Sequence, residues 1–149
     1  IDAKKVMAAK ARFPRIVIVS SKKLHAVNVD VYAPCGAGAA ITSAIARALL
    51  CKIIVGGANN QLENDAVGDL LWKRGILYAP DYVANAGGLM SVVMEYEKKR
   101  FTYASLCARV RKIRGTLAAV FRRSRAEKKP PHRVANLMAE TFIDRYVSH

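Results

Sequence analysis

Short apolar runs recur along the first half of the chain, separated by polar and small residues. Residues 16–19, 29–33 and 52–55 are rich in β-branched side chains and end at proline, serine or glycine. Residues 76–78 form a shorter run that ends at Pro80. Runs of this length and composition are typical of buried strands. We therefore predict four strands in this half of the chain.

Helical patterns alternate with these runs. The sequence predicts a first helix over residues 4–13 and a second that opens in the small-residue stretch 36–40. A third helix has Asn64 near its beginning and Gly75 just beyond its end, the usual start and stop signals. After Pro80 only helical patterns remain, over residues 82–96, over residues 102–125 and after the prolines at 130–131. Strands that alternate with helices predict an α/β fold with a parallel sheet, and 149 residues suit one domain.

Three loops follow predicted strands and consist mainly of small and amide residues. They are residues 33–38, 56–62 and 79–89. In an open parallel sheet, ligands bind beyond the carboxyl ends of the strands, where such loops converge. Small residues let a flat ligand approach the backbone, and amides supply a donor and an acceptor for ribose hydroxyls or a carboxamide. These loops therefore predict a cofactor site that contains no charged catalyst.

Other chemistries find little support in the sequence. The three cysteines lack a C-x-x-C spacing and the three histidines are scattered, so we expect reduced thiols and no metal site. Gly36 and Gly38 resemble part of a dinucleotide fingerprint, but Ile41 stands where its third glycine would be. We expect Cys35 to be a small buried filler rather than a nucleophile. The sequence shows no membrane-spanning stretch and no signal peptide.

The positive charge of the chain is concentrated in one segment. The net charge is +14, and residues 98–133 hold 13 of the 25 lysines and arginines but one of the 11 acidic residues. Within this segment apolar residues recur at steps of three and four, and the basic residues fall between them. Two interpretations remain open. The segment is either a solvated helix face or a patch that binds a polyanion such as nucleic acid.

Three strings in the strand-end loops resemble one enzyme family. Residues 30–35 (DVYAPC), 57–62 (GANNQL) and 78–88 (YAPDYVANAGG) are similar, in order and spacing, to the C-terminal NAD-binding domain of the glutamate/leucine/phenylalanine/valine dehydrogenases. Among these the leucine and phenylalanine members look most similar. Members of this family oxidatively deaminate an L-amino acid to its 2-oxo acid with NAD and release ammonia. The resemblance implies a Rossmann-like parallel sheet that lacks its first strand and glycine-rich turn. It makes residues 1–97 a partial dinucleotide-binding domain and residues 98–149 a helical segment packed on it.

The resemblance assigns the cofactor contacts to Asp2, Cys35, Gly36, Ala37 and Asn59. Asp2 looks like the acidic residue that ends the second Rossmann strand and binds the adenosine ribose hydroxyls, although it is also placed to cap a helix. The backbone of residues 35–37 is expected to lie along the cofactor. The family usually has Cys-Ala-Leu-Gly there, so Gly36 and Ala37 imply a smaller, slacker contact. Asn59 resembles the amide that contacts the nicotinamide ribose.

Three further residues are assigned to the substrate side of the cleft. Asn85 matches an amide near the nicotinamide and the substrate, but capping of a turn is an alternative role. Leu89 and Val92 fall where the substrate side-chain pocket of the family reaches the next helix. Val92 offers no partner for a carboxylate, whose burial without one is costly, so the resemblance implies an apolar amino acid. The alternative is that Leu89 and Val92 are ordinary core residues of an amphipathic helix.

The catalytic lysines and aspartate of the family belong to an N-terminal domain that this chain does not contain. We therefore expect no catalytic residue in it, no turnover by residues 1–149 alone and weak NAD binding. A chain that begins on Ile1 is expected to be a piece of a longer polypeptide. Its expected partners are an amino acid or 2-oxo acid, the missing domain and, in the full-length protein, further copies in a cytoplasmic homo-oligomer. Two alternatives stay open, an inactive relative that binds nucleic acid and a structural subunit of a related enzyme.

Overall fold

The computed structural model describes residues 2–36, 38–97 and 102–147. Three strands and seven α-helices are present in these ranges, with one turn of 3₁₀ helix at Leu24–Ala26. In chain order they are α1 (Ala3–Arg12), β1 (Val31–Tyr32), α2 (Ser43–Ala48), β2 (Ile53–Ile54), α3 (Asp65–Lys73), β3 (Leu77–Tyr78), α4 (Asp81–Ala84), α5 (Gly87–Tyr96), α6 (Tyr103–Glu127) and α7 (Pro131–Val147). None of the helices in the described part of the chain is long and apolar enough to cross a membrane.

The three strands form a parallel sheet in the order β1-β2-β3. Tyr32 pairs with Ile54, and Ile54 pairs with Tyr78. The α/β class and the parallel sheet predicted from the sequence are confirmed. Because the strands are parallel, the loops that leave β1, β2 and β3 all begin at the same edge of the sheet.

The strand predicted over residues 16–19 is wrong. These residues are in irregular structure, and the side chain of Val17 is 83% exposed. The backbone N–H of Ile16 donates to the carbonyl of Phe13, which closes a turn around Pro14 instead of a ladder. A β-branched run becomes a strand only when a partner strand accepts its backbone groups, and no described strand lies beside this one.

Two predicted helix boundaries are also corrected. The stretch 36–40 does not open α2, because Ala39 has a left-handed φ of 53° and its N–H donates to the carbonyl of Asn60. The helix begins instead after Thr42, whose Oγ1 accepts from the Ile45 N–H at 3.3 Å. The helix predicted over residues 82–96 is divided into α4 and α5. The division falls at Asn85, whose side chain is bound to the neighbouring loop.

The main core lies between the sheet and the helices α2 and α3. Eight buried side chains form it: Ile41, Ala46, Leu49, Ile54, Val67, Leu71, Ile76 and Tyr78. A smaller cluster joins α6 to α7 through Val120, Val134 and Ala135. Helix α7 is in turn fixed to α3, because Arg133 forms a paired set of hydrogen bonds with Asp69 at 2.7 and 2.6 Å.

His132 completes the contact between α7 and α3. Its side chain is buried, and its imidazole lies directly against Gly68, where an added Cβ would come within 2.4 Å of the ring. Burial lowers the pKa of His132, and the nearby carboxylates of Asp69 and Asp65 only partly oppose this shift. The folded protein therefore favours the neutral imidazole.

We expect the free energy of unfolding to decrease as the pH falls below about 6.5, where His132 begins to bind a proton in the unfolded chain. The sign follows because the folded state, with its lowered pKa, binds that proton less readily than the unfolded state does. Denaturant unfolding at pH values between about 5 and 7.5 measures the effect. In the His132→Asn variant, the free energy of unfolding should change less with pH. An unchanged slope in that variant would exclude His132 as the cause.

Candidate functional site

The loops that follow β1, β2 and β3 meet at one edge of the sheet. Asn85, after α4, donates from Nδ2 to the carbonyl of Ala58 at 3.0 Å and to Oδ1 of Asn59 at 2.8 Å. On the other side of the same loop, the N–H of Gly57 donates to Sγ of Cys35 at 3.4 Å. The structure therefore brings together Cys35, Asn59 and Asn85, one residue from each of the three loops identified in the sequence.

Two glycines allow the loops to approach so closely. A Cβ on Gly56 would lie 2.1 Å from the carbonyl oxygen of Pro34, and one on Gly38 would lie 2.8 Å from the carbonyl oxygen of Asn59. Contacts under 3 Å to backbone atoms cannot be relieved by rotating a side chain. The loop after β2 is also tied to the loop after β1 by a hydrogen bond from the Ala58 N–H to the Pro34 carbonyl at 3.0 Å.

Gln61 holds the loop after β2 from within. It is completely buried, and its Nε2 donates to the carbonyls of Gly56 and Ala58, both at 2.9 Å. A buried amide that bonds two carbonyls of its own loop fixes the loop's shape. Gln61 directly follows the Asn59-Asn60 pair, and the sequence does not predict its role because residue type does not reveal burial.

Asp81 links the loop after β3 to the loop after β2. Its carboxylate is buried and accepts from the Tyr78 hydroxyl at 2.6 Å and from the Asn60 N–H at 2.7 Å. Asn60 has a left-handed φ of 50°, so this bond holds a strained turn. Burial and the bond to Asp81 raise the pKa of Tyr78 above its usual range. In this loop Asn85 is predicted from the sequence as a site residue, whereas Asp81 is not.

The surface formed by Asn59 and Asn85 offers complementary polar groups. Asn59 is exposed, and Asn85 is half-buried. Within the described residues, Nδ2 of Asn59 and Oδ1 of Asn85 have no protein partner, so a donor and an acceptor stand side by side. Nothing lies within 4 Å of a Cβ placed on Gly36, which leaves open space along the first loop. A flat ligand with an amide or hydroxyl groups fits such a surface.

The expectation that Cys35 is buried is wrong. Cys35 is exposed, and its Sγ accepts the hydrogen bond from the Gly57 N–H at the rim of the site. Cys35 lies where β1 has ended and the core no longer covers the chain, so its size and apolar character do not place it inside. Ala37, assigned to the same loop, lies outside the described residues.

Asp2 caps the first helix. Its Oδ1 accepts from the backbone N–H groups of Lys4 and Lys5 at 2.9 and 3.3 Å, so the capping role considered for it is confirmed. In the described ranges, no hydrogen bond joins Asp2 to the three loops. Whether its second carboxylate oxygen also binds a ribose therefore stays a prediction.

Leu89 and Val92 lie on the surface of α5, which begins two residues after Asn85. Their exposed fractions are 68% and 61%, so the alternative that both are core residues is wrong. A spacing of three places them on one face of the helix. Two exposed apolar side chains on one face are available to form part of a wall against another surface or an apolar ligand.

The site contains amides, backbone groups and apolar walls. Across residues 2–36, 38–97 and 102–147, no group of three or more His, Cys, Asp or Glu side chains is arranged to hold a metal ion. The carboxylate of Asp81 is engaged by the Tyr78 hydroxyl and the Asn60 N–H. This arrangement can bind and orient a ligand, and it presents no pair of groups for acid and base catalysis at the rim.

Comparison with known proteins shows a family match and several similar sequences. Residues 2–142 match the family described as Glutamate/Leucine/Phenylalanine/Valine dehydrogenase. The chain is 38% identical to a valine dehydrogenase of Streptomyces albus over 137 residues, which are 91% of this chain and 37% of that protein. It is also 38% identical to a leucine dehydrogenase of Bacillus cereus over 128 residues, which are 84% of this chain and 34% of that protein.

A solved structure shows the same arrangement of elements. The crystal structure of L-tryptophan dehydrogenase from Nostoc punctiforme superimposes with a TM-score of 0.91 and 33% sequence identity, covering 100% of this chain and 45% of that one. The present chain therefore spans less than half the length of the relatives that it matches.

Proposed function

Because the chain belongs to the glutamate/leucine/phenylalanine/valine dehydrogenase family, we propose that it forms the cofactor side of an enzyme that oxidatively deaminates an apolar L-amino acid. The reaction converts the amino acid and water to a 2-oxo acid and ammonia, with transfer of a hydride to NAD. The observation that carries this proposal is the meeting of Cys35, Asn59 and Asn85 at one sheet edge.

The free amide groups of the site suit a nicotinamide nucleotide. Nδ2 of Asn59 and Oδ1 of Asn85 would bind the ribose hydroxyls and the carboxamide, and the open backbone at Gly36 would lie along the cofactor together with the residue that follows it, Ala37. When bound, NAD supplies the hydride acceptor. The protein's part here is to fix one face of that acceptor in place, because the loops are bound to each other before any ligand arrives. We propose that Asp2 binds the adenosine ribose.

The substrate side follows from the exposed residues of α5. Leu89 and Val92 offer only apolar surface, and a carboxylate buried against them would have no partner. The relatives named above act on valine, leucine and tryptophan, which supports an apolar substrate. We propose that residues 1–97 form the dinucleotide-binding part and that residues 98–149 pack on it. The catalytic groups would come from the part of the full-length protein that corresponds to the rest of the relatives' length. The full-length protein is proposed to be a cytoplasmic oligomer.

The specificity of the full-length protein tests this proposal. Formation of NADH should be fastest with leucine, valine or phenylalanine and slow with glutamate. Residues 1–149 alone should show no turnover. The Val92→Ser variant is expected to lower kcat/KM for leucine by about tenfold, which is the effect of losing roughly one to two buried methyl groups. Glutamate as the best substrate would overturn the pocket assignment, and an inactive full-length protein would overturn the proposed reaction.

A further inference from the structure

Helix α6 carries a line of four arginines that the proposed dehydrogenase site does not use. Arg111, Arg114, Arg122 and Arg125 are all exposed. At 100° per residue they fall within an arc of about 80° on one side of the helix, and the first and last are separated by about 21 Å along its axis. We refer to these four residues as the arginine stripe.

Among the described residues, the arginine stripe has no acidic partner. Neighbouring arginines do have partners: Arg109 binds Glu97 at 3.3 Å, and Arg123 binds Glu127 at 2.5 Å. Within the described residues, none of the four stripe arginines forms an ion pair, and Glu127 is the one acidic residue of α6. Like charges spaced by three residues repel each other, and a bound polyanion would relieve this repulsion.

The helix surface between the arginines of the stripe carries small residues. Gly115 and Ala118 lie between the two arginine pairs, and nothing lies within 4 Å of a Cβ placed on Gly115. Of the large apolar residues of α6, Val120 is buried against α7 and Phe121 packs at the edge of the same cluster. The stripe therefore lets a negatively charged backbone approach the helix closely. An apolar groove lined by Ala84, Val110, Ile113, Leu117 and Phe121 adjoins Arg111 and Arg114 along one side of the stripe.

We propose that the arginine stripe binds the phosphodiester backbone of a nucleic acid. Four planar guanidinium groups can each bind a phosphate through two hydrogen bonds, a geometry that lysine does not provide. The large apolar side chains beside the stripe, Ile113, Leu117 and Phe121, are half-buried, so little apolar surface is available to insert into a membrane. The surface contacts phosphates rather than bases, so the binding is independent of sequence. This inference does not depend on the proposed dehydrogenase activity.

The test is the salt dependence of binding to a labelled DNA duplex of about 20 base pairs, with a single strand of the same length as a second probe. Four neutralised phosphates predict a slope of about −3.6 for log K against log salt with the duplex and about −2.8 with the single strand. The duplex affinity should thus fall on the order of 100-fold between roughly 50 and 200 mM salt. Replacing Arg111, Arg114, Arg122 and Arg125 with glutamine should abolish this binding.

A matched variant separates the stripe from the overall positive charge. Lys4, Lys5, Lys10 and Arg15 are exposed residues at the other end of the chain, and their replacement with glutamine removes the same charge. This variant should keep the slope and most of the affinity, with both variants melting near the wild type by circular dichroism. Equal losses in the two variants, or no duplex binding at low salt, would overturn the proposal. So would displacement of the duplex by polyglutamate at equal charge, which would assign the surface to acidic proteins.

Discussion

Replacing Gly56 with alanine is expected to lower the free energy of unfolding by about 3 kcal/mol or more and to remove nucleotide binding. The added Cβ would lie 2.1 Å from the carbonyl oxygen of Pro34 and 2.7 Å from its Cδ and N. These atoms belong to backbone and a proline ring, so the two loops must separate. Their separation would break the Ala58–Pro34 hydrogen bond and the bond from the Gly57 N–H to Sγ of Cys35.

Denaturant unfolding and nucleotide titration of the same samples measure the two effects of Gly56→Ala. The control is Gly115→Ala, because Gly115 lies inside α6 with open space around it. Alanine is the better helix former, so this variant should be more stable than the wild type by up to about 1 kcal/mol. A Gly56→Ala protein that unfolds and binds like the wild type would show that the close approach of the loops is not required.

Replacing Asp81 with asparagine is expected to cost about 1.5 to 3 kcal/mol of stability and to weaken nucleotide binding. The carboxylate accepts two hydrogen bonds, from the Tyr78 hydroxyl and the Asn60 N–H. An amide of the same shape keeps one acceptor oxygen and turns an N–H₂ group toward the other donor. One buried donor is then left without a partner, and the left-handed turn at Asn60 loses its support.

The matched control for Asp81 is Asp30→Asn. Asp30 also forms a short contact, 2.7 Å to Lys52, but both side chains are about four-fifths exposed, at 78% and 81%. Exposed ion pairs contribute little, so this variant should unfold like the wild type. If Asp30→Asn proves as harmful as Asp81→Asn, burial is not what makes the Asp81 bonds strong. If Asp81→Asn changes neither stability nor binding, Asp81 does not organise the loops.

The meeting of the three loops at one sheet edge could be predicted from the sequence because it depends only on the order of the strands. Parallel strands place their carboxyl ends together, so the order of apolar runs and small residues is enough to bring Cys35, Asn59 and Asn85 to one edge. The start and stop of α3 could also be predicted, since Asn64 caps its first turn and Gly75 has a φ of 72° after its end. Both are local signals.

The features that could not be predicted depend on contacts between distant residues. The β-branched composition of residues 16–19 suggests a strand but says nothing about a partner. Ala39 adopts a left-handed conformation because the carbonyl of Asn60, far along the chain, accepts its N–H. Gln61 and Asp81 are polar residues whose usual place is the surface, and only the folded loops show that they are buried and bonded.

Titration of the isotope-labelled chain of residues 1–149 with NAD, followed by its amide resonances, tests the central claim most directly. We expect saturable shifts at the backbone amides of Gly36 and Gly57 and at the side-chain amides of Asn59 and Asn85, at millimolar cofactor. The resonances of α7 should stay unchanged. Shifts confined to other surfaces, or none at these four residues, would contradict the claim that the three loops form the nicotinamide site.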